Sequence, residues 1–147
     1  MANKGHITGM RGVYLVAAEL TRLGFIACPT SRSALAADIL VTDQSCQRTY
    51  TVQVKTNART FGFWLVGAKA RSPRSRTHMY VLVNLRSVDG QDRPEFFVVP
   101  SGVVAAKMVS TVSRTATKSN WHQFYMRDAL RYRDKWSLFG DSASTPA

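Results

Sequence analysis

Apolar residues along this chain fall first at a helical period and then at the shorter periods of strands. Val13, Val16, Leu20 and Leu23 recur at spacings of three and four, which puts them on one helix face. That spacing predicts a helix over residues 9–23, closed by Gly24 in the position of a C-terminal cap. The strands predicted next are "FIAC" (25–28), "DILV" (38–41), residues 48–55, "FWLV" (63–66), "MYVLVNL" (79–85) and "EFFVV" (95–99). Within residues 49–57, "TYTVQVKTN", strict alternation sends Tyr50, Val52 and Val54 to one face and Thr51, Gln53 and Lys55 to the other.

The segments between are polar turns. "TDQSC" (42–46) reads as a hairpin turn, and "SVDGQDRP" (87–94) as a second turn. Ser101 is placed to cap a short helix, "GVVAAKMV" (102–109), and "STVSRTATKSN" (110–120) reads as a mobile loop. A last amphipathic helix carrying Trp136 is expected over 124–138, and "GDSASTPA" (140–147) as a frayed tail. A helix, a run of strands and then helices predict an α+β class fold, an α/β sandwich with a mixed β-sheet flanked by helices. With 147 residues and no Gly/Ser linker, the expectation is a single domain over 1–139 followed by the tail.

Composition narrows the function. Hydrophobic content of 45% marks a globular chain. No apolar run approaches the ~20 residues that span a bilayer, and the N-terminus lacks a signal-peptide stretch, so a cytoplasmic protein is expected, with Cys28 and Cys46 as reduced thiols. Twenty Lys and Arg stand against nine Asp and Glu, a formal charge of +11. Residues 44–88 contain no acid, while Arg48, Lys55, Arg59, Lys69, Arg71, Arg74, Arg76 and Arg86 fall inside. Clustered cations gain affinity by releasing counterions from a phosphate backbone, so a nucleic-acid partner is favoured over a plainly soluble basic surface. A membrane surface fits less well, because "KARSPRSR" (69–76) lacks amphipathic helical pattern.

Few residues can carry chemistry. Asp38 opens its strand and is followed, one hairpin later, by Gln53 and Lys55. The Asp38 carboxylate, the Gln53 amide oxygen and the Val54 carbonyl between them can supply hard oxygen ligands to Mg²⁺ (or Mn²⁺). Lys55 beside such an ion is placed to hold an attacking water and to offset charge on a phosphate. Asp38 could instead merely cap a turn, and Gln53 and Lys55 could face solvent. Glu19, one of two glutamates, falls within the apolar arc of the first helix, where a carboxylate is paired, functional or at the edge of the stripe.

The order "GMRGVYLVAAELTRLGF", "ADILV", "YTVQVKT" resembles the PD-(D/E)XK nucleases of restriction-endonuclease-like fold, in the branch where glutamine replaces the acid of E-x-K. "PEFFVVPSGVVA" and the late Trp and Tyr positions are similar to uncharacterised bacterial members. The resemblance implies a DNA substrate, a divalent metal and often a homodimer, with Asp38, Gln53 and Lys55 at the site. Two positions depart from the pattern: Val13 stands where the helix usually carries an acid, and Ala37 where a proline usually precedes the aspartate. Glu19 could substitute from the same helix, although six residues turn it by about 600°.

Other motifs are absent. His6, His78 and His122 are scattered and form no spaced zinc site with the cysteines, and no phosphate-binding glycine loop or nucleophile elbow occurs. Trp64, Trp121 and Trp136 read as core, and Phe61 and Phe63 as packing that could also approach bases. Arg59, Lys69, Arg71, Arg74 and Arg76 are the candidate phosphate contacts. The expected activity is Mg-dependent hydrolysis of DNA phosphodiesters. The alternative is a nucleic-acid-binding module of the same fold that lost turnover with the helix acid.

Overall fold

The structure, a computed structural model, describes residues 4–31, 36–72, 74–112 and 120–141. Helix α1 (Lys4–Arg22) leads into β1 (Ile26–Pro29), β2 (Ile39–Thr42), β3 (Thr49–Asn57) and β4 (Phe63–Leu65). A 3₁₀ turn at Ala68–Arg71 precedes β5 (His78–Asn84), and a small hairpin of β6 (Ser87–Val88) and β7 (Gln91–Asp92) precedes β8 (Glu95–Pro100). Helix α2 (Ser101–Lys107), β9 (Val109–Val112), β10 (Asn120–Tyr125) and helix α3 (Met126–Ala129) follow, and 3₁₀ turns complete the chain.

Among the described residues the main sheet has the order β1-β2-β3-β5-β8. Its pairs are antiparallel except β3 with β5, which run parallel, so the sheet is mixed as expected. Alternation along β3 and β5 divides the core in two. Val52, Val54, Val81 and Val83 pack under α1 with Val16, Leu20 and Phe25, where Val16 and Leu20 are fully buried. Burying each such side chain is worth about 1.5–3 kcal/mol. The opposite face carries Tyr80, Leu82 and Phe97 against Trp64, Phe124 and Val104.

That second core is covered by a further sheet, of order β4-β10-β9, which the sequence reading lacked. Ser110–Val112 of the expected loop "STVSRTATKSN" are strand β9, Asn120 opens β10, and residues 113–119 of that loop lie outside the described residues. The helix expected over 124–138 is also corrected. Phe124 and Tyr125 end β10, α3 lasts four residues, and Asp134 takes a left-handed φ of 51°. There the backbone is held to the edge of β8, through a bridge of Arg133 to Phe97 and a bond from Asp134 N to Phe96 O of 3.0 Å. The apparent helical period mixed two destinations: Phe124 and Ala129 belong to the second core, Trp136 and Phe139 to the first.

Ser101 does not cap α2; Pro100 precedes the helix, and Ser101 is buried in its first turn. Helix α1 starts before Gly9, at Lys4, because its opening turns are polar and glycine-rich and show no apolar period. Gly12 is needed for packing, since a Cβ there would overlap the Thr56 hydroxyl of β3. Both cysteines are free. Residues 142–147 of the expected tail lie outside the described residues, and among the described residues no helix is long and apolar enough to cross a membrane.

Candidate functional site

The hairpin "TDQSC" forms as the sequence predicts and brings β2 back along β3. Their pairing runs from Thr42↔Thr49 to Ile39↔Val52 and closes with a bond from Asp38 N to Val52 O of 2.7 Å. Beyond that point β2 leaves, and β3 continues alone on that edge toward Lys55. The open edge is bridged by the Asp38 side chain. Its Oδ2 accepts bonds from Gln53 Nε2 at 2.9 Å and from Val54 N at 2.7 Å. No bond to Oδ1 is found among the described residues.

This fork forms the floor of a cleft of about 370 Å³. Asp38, Gln53, Val54 and Lys55 line it from the sheet; His6, Gly9 and Val13 line it from α1. Positions 6, 9 and 13 share a helix face, with Met10 and Tyr14 beside them, so α1 offers the cleft an imidazole, a phenol, bare backbone and apolar side chains. His6 was not picked out as a site residue from the sequence, although its spacing of seven from Val13 was the available signal.

Glu19 is not brought to this cleft. It lies half-buried in a separate groove with Arg86, Arg93 and Arg133, and its Oε2 is 2.8 Å from the Arg22 guanidinium. Helix rotation between positions 13 and 19 separates the two, which corrects the expectation that Glu19 assists the site.

Lys55 also borders a second, smaller groove of about 170 Å³ on the other core's side. Parallel pairing sets Gln53 beside Tyr80 and Lys55 beside Leu82, so both polar residues project toward the second layer. Lys69, Arg74, His78 and Tyr80 line this groove. His78 is buried within hydrogen-bond distance of Thr51 Oγ1. Burial, and then the nearby Arg74 charge, pushes its pKa below the usual 6.5. Burial pushes the Tyr80 hydroxyl above 10.0, with Arg74 opposing. The groove's charge therefore comes from Lys55, Lys69 and Arg74, which make no ion pair among the described residues. Arg59 and Arg76 are exposed outside it, and Arg71 is tied to Ser110 Oγ of β9.

Chemically, the fork offers hard oxygens from Asp38 and Gln53 beside an ammonium that makes no ion pair among the described residues. Among the described residues no group of three His, Cys, Asp or Glu side chains gathers, so any cation would meet one carboxylate here.

No family model and no curated protein matches this sequence. Among solved structures, the chain is similar to the bacterial homing endonuclease I-Ssp6803I, with a TM-score of 0.54 and 18% identity over 94% of this chain and 91% of that one. It is also similar to the Holliday junction resolvase Hjc of the archaeal hyperthermophile Archaeoglobus fulgidus, with a TM-score of 0.54 and 13% identity over 90% of this chain and 96% of that one. These likenesses establish the fold: an α+β sandwich with a mixed sheet and a restriction-endonuclease-like core, as the motif resemblance implied.

Proposed function

We propose that the chain hydrolyses DNA phosphodiesters at the fork of β2 and β3, with a divalent cation as cofactor. One observation carries this reading: Asp38 spans the open edge to Gln53 and Val54, and Lys55 follows two residues later on the same strand face as Gln53. A turn-capping aspartate would satisfy its own turn; this one reaches across to another strand. Two solved structures of similar fold, a homing endonuclease and a junction resolvase, support a nuclease.

The donors fit a hard cation. The Gln53 amide donates its N–H to Asp38 and so keeps its oxygen for another partner. An extended residue sends its N–H and C=O to the same edge, which turns the Val54 carbonyl toward the fork as well. Mg²⁺ is commonly held by one or two carboxylates and completed by water and substrate phosphate oxygens, so Asp38, Gln53 and Val54 suffice to hold it. A divalent cation held by Asp38, Gln53 and Val54 would supply Lewis-acid chemistry at the phosphoryl group. Lys55 places its ammonium against the phosphate, where the developing charge is stabilised. Lys69 and Arg74 orient the strand beside it. The described residues present one such cleft, so breaking both strands of a duplex at once calls for two copies, the homodimer that the resemblance implies.

The experiment separates holding the ion from acting on the phosphate. Titrating Mn²⁺ calorimetrically should show binding to wild type, none to Asp38→Ala, and retained binding to Lys55→Ala. Plasmid nicking should fall by ~10²-fold or more in Lys55→Ala, the loss typical of a deleted transition-state donor. A wild type that binds no Mn²⁺ in DNA's presence, yet binds DNA salt-dependently, overturns hydrolysis. The binding-module reading, favoured by the apolar Val13 on the helix wall, then replaces it.

A further inference from the structure

Outward faces of sheets usually alternate to polar residues, whereas the β4-β10 face carries mostly rings and leucine around one buried polar residue, Gln123. Register places Phe63 opposite Tyr125 and Leu65 opposite Gln123, so these and Trp121 share the outer face, while Trp64 and Phe124 point inward. The Phe63 ring centroid lies 4.9 Å from Phe61, 6.3 Å from Trp121 and 6.1 Å from Tyr125, all in tilted or edge-to-face contact. These rings are not core. Trp121 is 46% exposed and Phe61 43%, whereas Trp64 and Trp136 are buried, so the expectation that Trp121 is core is corrected. Scattered exposed apolar residues are ordinary; a contiguous cluster marks a binding surface.

Its position relative to the cleft is fixed by two contacts. Asn57 Nδ2 donates to Phe63 O at 2.9 Å, which ties the start of β4 to the strand end two residues beyond Lys55. At ~3.3 Å per residue that is about 7 Å along β3. The residues after β4, Val66 and Gly67, line the groove that Lys55 borders. The strand that carries Phe63 and Leu65 therefore starts beside the end of β3 and leads directly into the cationic groove.

We infer that this face stacks the unpaired bases of a nucleic-acid strand whose phosphates lie along Lys55, Lys69 and Arg74. Two features select this occupant. The Arg127 guanidinium sits 4.8 Å from the Tyr125 ring centroid and 3.8 Å from the Asp128 carboxylate, so an exposed, partly neutralised cation edges the platform. Arg59 stands exposed in the loop between Asn57 and Phe61, within a span, residues 44–88, that contains no acid. An apolar protein partner has no use for that cationic border, whereas a strand of phosphates and bases matches cations and rings together. A duplex keeps its bases stacked on one another, so the platform selects strands that are single or locally opened. The inference rests on the nucleic-acid part of the proposed function and does not require hydrolysis.

Two ligands of equal length and charge, about a dozen nucleotides, separate stacking from charge: oligo(dT) and the same deoxyribose-phosphate chain without bases. Wild type should bind oligo(dT) more tightly, with quenching of the exposed Trp121. Phe63→Ala and Trp121→Ala should each weaken oligo(dT) by roughly 5- to 150-fold, the span of base–aromatic stacking, and leave the abasic chain within about twofold. Trp121→Phe, which keeps a ring on the sheet with little demand on folding, should fall between. Equal binding of the two ligands by wild type overturns the platform alone. Binding of neither overturns the nucleic-acid reading with it. Equal loss of both ligands in the ring variants, or a Trp121-dependent self-association without base preference, also overturns it.

Discussion

Asp38 and Asp43 bracket the same four-residue strand and use their oxygens differently. Asp43 turns inward to its own hairpin: Oδ1 accepts from Gln47 N at 2.9 Å and Arg48 N at 3.0 Å, and Oδ2 accepts from Ser45 Oγ at 3.1 Å. The Arg48 backbone bond is the largest cause that lowers its pKa from 3.8 to about 2. The unfolded chain therefore binds this proton more readily than the folded one. The resulting stability is complete above 3.8 and is lost as pH falls through that value toward about 2. Asp43→Asn should flatten the acid limb of stability against pH in this window, as read by urea denaturation at each pH; parallel limbs would count against it. Asp38 instead reaches another strand, to Gln53 and Val54. Asp38, Gln53 and Lys55 were legible because a hairpin of readable turn chemistry brings them together. Glu19 instead pairs with Arg22 one helical turn on, at the i,i+3 spacing that the helical period brings together.

Strands with their own alternation were readable, whereas elements specified by a distant edge were not. β3, β5 and β8 each carry a period or an apolar run that identifies them locally. β9 is exposed throughout and exists because β10 pairs with it, so nothing in "STV" marks it as a strand. The final turn was misread as helix for a related reason. Its rings serve the core under α1: Phe139 packs 5.9 Å from Phe25 and 5.2 Å from Tyr50, and Trp136 lies 5.6 Å from Phe96. A 3₁₀ turn has little stability of its own, so the buried ring holds the segment in place. Phe139→Ala should cost about 3–5 kcal/mol in denaturant unfolding, the range for a deleted buried ring. A loss under about 1 kcal/mol would show that the last turn is an ornament on a core complete without it.

At the scale of the molecule, the excess of +11 is not spread evenly in its effect, because some cations already have partners. Arg86 and Arg133 both reach Glu95, at 3.2 and 3.6 Å, Lys107 reaches Asp128 at 3.5 Å, and Arg11 reaches Asp92 at 2.7 Å. These pairs lie on α1, α2, α3 and around the ends of β8. Among the described residues the groove beside Lys55 has no such neutralisation, and there Lys69 and Arg74 face the same opening as Gln53 and His78. Counterion release depends on phosphates neutralised, not on total charge, so the groove and not the paired residues should set the salt dependence of binding. Replacing Lys69 and Arg74 together by Gln should reduce the slope of log affinity against log salt by about 1.8, at ~0.9 per contact on duplex DNA. Arg71→Gln should change it less, since its guanidinium is already engaged by Ser110. The sequence grouped Arg71, Arg74 and Arg76 as one basic loop; the fold divides them, because one strand of the second sheet takes Arg71 while the groove takes Arg74. A slope unchanged in the double variant and reduced in Arg71→Gln would move the phosphate track from the groove to the β9 edge, and the cleft at Asp38 would lose the strand that is meant to feed it.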